Sequence, residues 1–416
     1  MLDFQKKLTN SFYVILGLPA TAMGFGLSIQ IAVLSWILRT QYNLDIHEIG
    51  IVWAAGPIAG IIGQPIVGLI SDGVWFWGGR RRPFIFIGGA LAALSIFALP
   101  NIGLISHTLG IESIMAVAIT VALTLDLSIN ISFNPTRAII ADVTPDGAPR
   151  TKGYTWMQSI SNFFGAGAYL ISALLGNYTL IYIGVAVVFL FSIVPMFFIE
   201  EPKSVESKQD ENIEATRTNW NQLFKIYFAH AFSWLGIQTM FIYTFAFLEQ
   251  RFDASDPLYL GSIIGWSFFI LNAVGAIFPI LLLEPLSKKI GKVRTHLLAV
   301  ASMSFGYFMI VLFVKDTFMM YAMFIILSLG WAAVVSLPFA IMTEMVNKKR
   351  MGFFMGIFNL SVVLPQLVSS FVLGKVIQDA DNKSIVFLIC GICLAISAVL
   401  WILVKEKKAN IAMEKG

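Results

Sequence analysis

The sequence predicts an all-α integral membrane protein with twelve transmembrane helices, arranged as two six-helix bundles related by a pseudo-two-fold axis. Three observations lead to this expectation. The 416 residues are 57% hydrophobic and only 12% charged, and their mean hydropathy is +0.80. About twelve apolar runs are each long enough to span a bilayer. A short basic loop recurs at matching places in the two halves, which is typical of a duplicated membrane protein.

The apolar runs are taken as the transmembrane spans, because a helix of roughly 20 residues crosses the roughly 30 Å hydrocarbon core. They cover residues 10–38, 47–70, 83–105, 112–141, 152–176, 178–199, 220–249, 257–284, 294–314, 318–345, 351–376 and 384–404. The long polar break at residues 200–219 has no apolar periodicity. The sequence therefore predicts a first bundle over 1–199, a cytoplasmic linker over 200–219 and a second bundle over 220–416.

Basic residues near the ends of spans remain on the cytoplasmic side of a membrane. Most of the 28 lysine and arginine residues face the same side when both termini are placed in the cytoplasm. The basic isoelectric point of about 8.9 therefore reports membrane orientation and does not indicate nucleic-acid binding. The first ten residues, MLDFQKKLTN, are too short and polar for a cleaved leader. No obligate protein partner is evident.

Acidic and basic residues recur at the cytoplasmic ends of spans in both halves, where they can form exchangeable salt bridges that favour one conformation. The segment GPIAGIIGQPIVGLISDGVWFWGGRRRPF ends in a basic triplet, and LLLEPLSKKIGKVRTH is its weaker repeat. The alternative is that these charges only anchor helix ends. The predicted gate residues are Asp72, Arg80, Arg81, Arg82, Asp142, Arg150, Glu284, Glu344 and Arg350.

One acid, Asp126, lies well within a span, and an intramembrane acid is a functional candidate because its charge is costly there. At 3.6 residues per turn, Asp126, Asn130, Asn134 and Arg137 form one polar stripe along the fourth span. Pro135 is expected to bend the helix beside it. We expect Asp126 to carry a proton or contact substrate. The alternatives are a polar anchor between helices for Asp126 and a lipid headgroup anchor for Arg137.

Other polar and aromatic residues recur at helical spacing within spans. Amides both donate and accept hydrogen bonds, and aromatic rings cover the apolar face of a sugar, so this set suits a neutral polyhydroxylated ligand. Each amide taken alone also serves as a contact between helices. The candidate substrate-binding residues are Gln30, Asn130, Arg137, Gln158, Asn162, Trp234, Gln238, Asn272, Asn359 and Gln366.

The two cysteines, Cys390 and Cys393, have the spacing of a redox or metal motif but lie inside the last apolar run. We interpret them as small buried hydrophobic residues. The four histidines lie apart in the sequence and form no nucleophile and base constellation. The sequence therefore favours neither an enzyme nor a cofactor or metal site.

The string GPIAGIIGQPIVGLISD followed by GRRRPF resembles the signature of the sucrose transporters, a branch of the major facilitator superfamily. Further similar stretches are FGLSIQ, LDLSIN, NPTRAIIADVT, SNFFG, LLLEPLSKKIG and GIFNLSVVLPQLVSS, so the resemblance covers nearly the whole chain. It implies the superfamily fold and proton-coupled uptake of a disaccharide such as sucrose or maltose. Asp126 resembles the family's proton-coupling carboxylate, and Arg137 its arginine in the same helix. Gln30, Asn162, Asn272, Asn359 and Gln366 also match polar positions of the family.

The sequence departs from the plant members late in the seventh span, where FIYTFAF lacks their acids and Thr244 stands at one of those places. Short loops and the lack of a large insertion suggest the cytoplasmic membrane of a bacterium. The alternatives are a sodium-coupled or uncoupled sugar carrier, a drug–proton antiporter and a transporter-like sugar sensor. A sodium site usually needs several oxygen ligands with more than one acid, so protons are preferred.

Overall fold

The computed structural model describes residues 3–145, 147–202, 218–252, 256–346 and 351–406. The side chains of residues 3–4, 64–65, 68–69, 71–73 and 351–353 are outside this description. Within the described ranges the secondary structure is helical apart from one antiparallel bridge between Phe76 and Gly79. The all-helical architecture predicted from the sequence is confirmed.

The first half contains eight helices after a one-turn helix at Asp3–Lys6. In chain order they are α1 (Asn10–Thr40), α2 (Ile46–Trp53), α3 (Ala55–Gly73), α4 (Arg82–Ala98), α5 (Ile102–Leu109), α6 (Ile114–Val143), α7 (Ala148–Leu175) and α8 (Asn177–Ile193). Short 3₁₀ turns at Leu99–Asn101 and Val194–Phe197 follow α4 and α8. Along their length, α1 packs on α7 and α4 packs on α6.

The second half repeats this alternation of long and short helices. They are α9 (Trp220–Arg251), α10 (Pro257–Phe278), α11 (Glu284–Ile290), α12 (Lys292–Phe313), α13 (Thr317–Thr343), α14 (Met351–Val368), α15 (Gly374–Asp379) and α16 (Ile385–Trp401). Single π-helical turns, Pro279–Leu283 and Ser369–Leu373, join α10 to α11 and α14 to α15. Here α12 packs against both α13 and α16.

Side-chain caps fix several helix starts, because they satisfy amide groups that the first turn leaves without partners. The Thr9 hydroxyl accepts from Phe12 N–H at the start of α1, and Ser113 accepts from Ala116 N–H at the start of α6. Asp45 and Glu48 form a reciprocal capping box on α2. These polar caps mark the points where the apolar helices begin.

Ten helical stretches in the described part of the chain are long and apolar enough to cross a membrane. Two of the predicted spans fall outside this set. The helix α7 has 28 residues but is less apolar, and α16 is apolar but has only 17 residues. The count of twelve transmembrane helices and the cytoplasmic location of both termini therefore stay predictions.

The chain forms two compact units, and neither is one continuous half. Unit 1 comprises Met1–Lys208 with Phe241–Asn272 and Leu367–Lys383, and unit 2 comprises Gln209–Met240, Ala273–Gln366 and Ser384–Gly416. The predicted first bundle lies wholly in unit 1, which also takes two stretches from the second half. The predicted boundary at 200–219 stays a prediction, since residues 203–217 lie outside the described ranges.

Within unit 1, the two later stretches pack against α1 and α2 in a contact region that we call the α2 seam. The Ser35 hydroxyl donates to the Ile242 carbonyl and accepts from the Trp53 indole, each at 2.8 Å. The Trp36 indole donates to the Pro257 carbonyl at 2.7 Å. These bonds satisfy polar groups that would otherwise be costly in an apolar surrounding.

Tyr243 lies at the centre of the α2 seam. Its hydroxyl donates to the Ser369 carbonyl at 3.0 Å. A Cβ atom on Gly50 would lie 2.5 Å from the Ser370 carbonyl oxygen and would also clash with the Tyr243 hydroxyl. Glycine at position 50 therefore allows α2 to approach the π-helical turn that contains Ser369 and Ser370.

Charged and polar residues surround one end of the α2 seam. Arg39 Nε donates to Glu249 Oε1 at 2.9 Å, and Gln378 links the start of α2 to α15 through His47 N–H (2.8 Å) and Asp45 Oδ2 (3.2 Å). Burial raises the pKa of Asp45, but hydrogen bonds from the Glu48 N–H and the Gln378 amide outweigh it and hold the pKa below its ordinary value. Asp45 thus remains a charged cap of α2.

Candidate functional site

Asp126 lies in the middle of α6 and is only 4% exposed. Its Oδ2 atom accepts a hydrogen bond from Gln30 Nε2 on α1 at 2.8 Å. On a third helix, α3, a Cβ atom at Gly56 would lie 3.4 Å from Asp126 Oδ1. One neutral amide replaces little of the hydration that a carboxylate has in water. The proton-coupling role of Asp126 stays a prediction.

The predicted polar stripe of α6 divides into a buried part and an exposed part. Asn130 is 9% exposed, and its Nδ2 donates to the Asp126 carbonyl at 2.7 Å. A Cβ atom at Gly63 of α3 would lie 3.2 Å from Asn130 Cβ, so glycine allows α3 to run close to this stripe. Asn134 is partly buried, and α6 continues through Pro135 without ending.

Arg137 is exposed at the end of the stripe. Its guanidinium carbon lies 4.1 Å from the centroid of the Phe133 ring, and the Tyr154 hydroxyl donates to its backbone carbonyl at 3.2 Å. Among the described residues, no carboxylate lies within ion-pair distance of the Arg137 side chain. The substrate-binding role of Arg137 stays a prediction.

The amide residues of the candidate set are distributed over both units. In unit 2, Gln366 Nε2 donates to Gln238 Oε1 at 3.1 Å. In unit 1, the exposed pair Gln158 and Asn162 on α7 bond to each other at 2.8 Å. Asn272 donates to the Phe268 carbonyl of its own helix, and Asn359 is partly buried on α14. Which of these amides bind substrate stays a prediction.

Trp234, the aromatic residue of the candidate set, contacts a second tryptophan, Trp331, in unit 2. The rings of Trp234 and Trp331 meet edge to face, with centroids 6.2 Å apart and planes at 78°. Both indoles are partly exposed. The Trp234 indole also donates to His230 Nε2 at 2.9 Å. Unit 2 therefore presents two accessible indole rings that contact each other.

The basic triplet in unit 1 binds two different acids. Arg80 and Arg81 each reach Asp142 Oδ2 with a guanidinium nitrogen, both at 3.3 Å. The main chain binds Glu201, whose carboxylate accepts from the backbone N–H groups of Arg80, Arg81 and Arg82 at 2.7 to 2.9 Å. Since Arg82 begins α4, this carboxylate lies at the positive end of the helix dipole. Sequence reasoning missed Glu201 because it placed this acid in a solvated linker.

The basic end of unit 2 repeats this arrangement with fewer charges. Lys292, the first residue of α12, binds Glu344 through Nζ, and its backbone N–H donates to Glu406 Oε1 at 2.7 Å. Glu406 follows the last helix of its half, as Glu201 follows α8. Gly291 and Gly79 leave no room for a Cβ beside these carboxylates. The sequence signal that could have indicated these two contacts is the glycine shortly before each basic helix start.

The remaining gate candidates have local partners or lie outside the description. Arg150 donates to the carbonyls of Ala141 and Thr144 and so caps the end of α6. Glu284 is exposed and pairs with Lys288 one turn later in α11, at 2.7 Å. The Asp72 side chain and all of Arg350 lie outside the described part of the chain. The gate roles of these four residues stay predictions.

Cys390 and Cys393 are both buried and unbridged in α16. The Cys390 thiol donates to the Gly236 carbonyl at 3.1 Å, and Cys393 Cβ also lies against Gly236. Their predicted role as small buried residues is confirmed by this packing of α16 on α9.

Removing the Glu201 carboxylate is expected to destabilise the start of α4. A charge-assisted hydrogen bond contributes about 1.5–3 kcal/mol, and Glu201→Ala removes several of them at once. We expect thermal unfolding of the purified protein in detergent to begin several degrees lower, measured by light scattering and intrinsic fluorescence. Glu112→Ala is the control, because this acid is exposed between α5 and α6. Equal melting temperatures for the two variants would contradict this role of Glu201.

A family model described as Major Facilitator Superfamily matches residues 17–370 of the chain and, in a second match, residues 286–412. Among curated relatives, Sucrose transport protein SUC4 of Arabidopsis thaliana is 27% identical over 164 residues, which are 36% of this chain and 32% of that protein. Sucrose transport protein SUT5 of Oryza sativa subsp. indica is 35% identical over 80 residues, 19% of this chain and 15% of that protein. The matches thus span about a third or less of these relatives.

Solved structures resemble nearly the whole chain. The nucleoside transporter NupG has a TM-score of 0.71 at 13% identity, with 96% of this chain and 100% of that chain covered. The xylose transporter XylE from E. coli, in an inward open conformation, has a TM-score of 0.68 at 15% identity, with 96% and 97% covered. At such identities the likeness concerns the fold alone, and that fold is the one that both transporters share.

Proposed function

Because this chain belongs to the major facilitator superfamily, we propose that it is a secondary active transporter that couples proton entry to the uptake of a sugar. A disaccharide such as sucrose or maltose is the expected substrate. The chain is an integral membrane protein and a transporter rather than an enzyme. The proposal therefore concerns the driving ion and the cargo.

The observation that carries the proton proposal is the buried carboxyl of Asp126. It lies where α1, α3 and α6 meet, with Gln30 as its side-chain donor. In the described ranges no group of three or more acids, histidines and cysteines could hold a metal ion. A single carboxyl with a neutral amide partner suits proton exchange better than a sodium site with several oxygen ligands.

The sugar proposal is supported by the chemistry of the accessible residues and by the printed names of the relatives. Amide pairs on α7 and between α9 and α14 offer both donors and acceptors, which match hydroxyl groups. The indoles of Trp234 and Trp331 offer apolar faces for a sugar ring. The similarity to sucrose transport proteins favours a disaccharide.

The basic loops support an orientation with both termini in the cytoplasm, and the short loops support a location in the cytoplasmic membrane of a bacterium. Accessibility to a membrane-impermeant thiol reagent tests this orientation, because the two native cysteines are buried. A cysteine introduced at the exposed Lys405 should react only after the membrane is opened. Labelling of intact cells at that position would contradict the proposed orientation.

The decisive test of function uses purified protein in liposomes. Uptake of labelled sucrose, maltose, glucose and a nucleoside is measured with an imposed pH gradient, with a sodium gradient and with neither. We expect accumulation of a disaccharide only with the pH gradient. Accumulation with sodium, equilibration without accumulation, or counterflow of a cationic drug would each identify a different carrier and overturn the proposal. Binding of a sugar without any flux would indicate a sensor.

We expect Arg137→Lys to weaken transport strongly without unfolding the protein. A planar guanidinium donates to several hydroxyl groups in a fixed geometry that an ammonium group does not reproduce. Loss of a good interaction of this kind raises the half-saturating sugar concentration about tenfold. Initial uptake rates over a range of sugar concentrations provide the measurement.

Arg294→Lys is the control for this substitution, because Arg294 is exposed on α12 and belongs to neither the binding set nor the gate set. It keeps the charge and is expected to leave the half-saturating concentration unchanged. If Arg137→Lys also leaves both rate and half-saturation unchanged, Arg137 is a lipid headgroup anchor.

A further inference from the structure

His230 is the histidine that contacts the indole pair of unit 2. It lies on α9, is 2% exposed, and its ring stacks on Phe358 of α14 with centroids 4.8 Å apart and planes at 14°. The distance from Trp234 Nε1 to His230 Nε2 is 2.9 Å. The imidazole is thus held on one face by Phe358 and on one edge by Trp234.

This geometry fixes the hydrogen on the imidazole. An indole N–H can only donate, so His230 Nε2 must accept, and a neutral ring then carries its hydrogen on Nδ1. This hydrogen bond holds the indole N–H of Trp234 in one direction. His230 therefore restrains the direction in which the Trp234 ring points.

The restrained ring is part of a larger surface. Trp331 on α13 meets Trp234 edge to face, and a Cβ atom at Gly275 of α10 would lie 3.2 Å from Trp331 Cδ1. One turn further along α9, Gln238 accepts from Gln366. A primary amide has more hydrogen-bonding capacity than this one contact uses. Trp234 and Gln238 lie one turn apart on α9, and each contacts a partner on another helix of unit 2, Trp331 and Gln366 respectively.

We propose that His230 is a positioning residue, which orients Trp234 so that Trp234 and Trp331 form a rigid platform for the apolar face of one sugar ring. The amides of Gln238 and Gln366 would bind hydroxyl groups at the edge of that ring. A fixed aromatic surface binds more tightly because less side-chain entropy is lost. This inference rests on the proposed function for its ligand, but the orientation of the indole can be tested without any ligand.

The first test measures the Trp234 ring itself. Protein labelled with 5-fluorotryptophan is studied by fluorine NMR in detergent without sugar, and Trp234→Phe assigns the resonance. His230→Gln keeps a neutral acceptor, whereas His230→Leu removes it at similar size. We expect the Trp234 resonance of His230→Gln to stay near its original position, and that of His230→Leu to shift and broaden. An identical resonance in His230→Leu overturns the proposal.

The second test measures sugar binding at equilibrium. We expect His230→Leu to weaken the binding of sucrose or maltose about tenfold, which corresponds to the loss of roughly one hydrogen bond. His230→Gln is expected to retain most of the native affinity. The number of protons transported per sugar should be the same in both variants. His107→Leu is the control, because His107 is exposed on α5.

Equal losses of affinity in the glutamine and leucine variants would mean that His230 only fills space, and would overturn the proposal. A changed proton ratio with unchanged affinity would do the same. If the native protein binds no sugar at all, the proposed function fails, while the fluorine resonance still decides whether His230 orients Trp234.

Discussion

Asp126→Asn is expected to abolish accumulation of sugar driven by a pH gradient, while exchange of labelled for unlabelled sugar across the liposome membrane stays measurable. Asparagine has nearly the same shape and still bonds with Gln30, but it cannot take up a proton. One pH unit corresponds to about 1.4 kcal/mol, so one proton per sugar supports about tenfold accumulation. We expect that ratio to fall to about one in the variant.

Gln30→Leu tests the contribution of the hydrogen bond to Asp126 separately from that of the carboxyl group. It keeps Asp126 but removes the amide that donates at 2.8 Å. We expect this variant to accumulate sugar, with a shifted pH dependence of the rate. If Asp126→Asn still accumulates substrate under a pH gradient, the transported proton is carried elsewhere.

Gly50→Ala should strongly impair both transport and stability. Its methyl group would lie 2.5 Å from the Ser370 carbonyl oxygen and would clash with the Tyr243 hydroxyl, at the centre of the α2 seam. Overpacking a tight contact typically costs about 1–3 kcal/mol. In a transporter that alternates between two conformations, a shift of that size changes their ratio about fivefold to over a hundredfold.

Thermal unfolding in detergent and initial uptake rates measure the two effects. Gly167→Ala is the matched control, because a Cβ atom at this helical position in α7 meets nothing within 4 Å. Gly50→Ala combined with Tyr243→Phe removes the hydroxyl that the methyl group meets, and should recover part of the loss. The role assigned to Gly50 fails if its alanine variant behaves like Gly167→Ala.

The helices were predictable because hydropathy reports burial in a bilayer directly. The predicted runs 112–141 and 220–249 correspond closely to Ile114–Val143 and Trp220–Arg251. Asp126 stood out for the same reason, since an acid among apolar residues has few structural explanations. Its resemblance to a sucrose transporter residue predicts a role that stays a prediction, whereas membership of the major facilitator superfamily is confirmed by the family model.

Contacts between distant segments were not predictable in the same way. Glu201 and Glu406 bind backbone N–H groups, and the main chain carries no sequence signal for that role. Glycine at 79 and 291 was a hint only in retrospect, because glycine has many uses. The pairing of Gln30 with Asp126 depends on how α1 and α6 pack, although each residue was a candidate by itself.

The assignment of each helix to unit 1 or unit 2 was not predictable from the sequence either. The residues of α9 before and after Met240 are similarly apolar, yet Phe241–Asn272 belongs to unit 1 and Gln209–Met240 to unit 2. Membrane helices gain little from hydrophobicity when they associate, so close packing and hydrogen bonds decide their neighbours. Which helices pack together therefore depends on side-chain shape, and hydropathy does not report shape.

The composition of unit 1 has a consequence for how the protein is made. The ribosome must add Leu367–Lys383 before unit 1 is complete, which leaves only a short stretch of the 416 residues still to be synthesised. Until Phe241–Asn272 has been made, the indole N–H of Trp36 and the hydroxyl of Ser35 also lack their carbonyl partners at Pro257 and Ile242. Chains arrested after residue 208 should therefore expose an unfinished polar surface to lipid, and should be preferred substrates for membrane quality-control proteases.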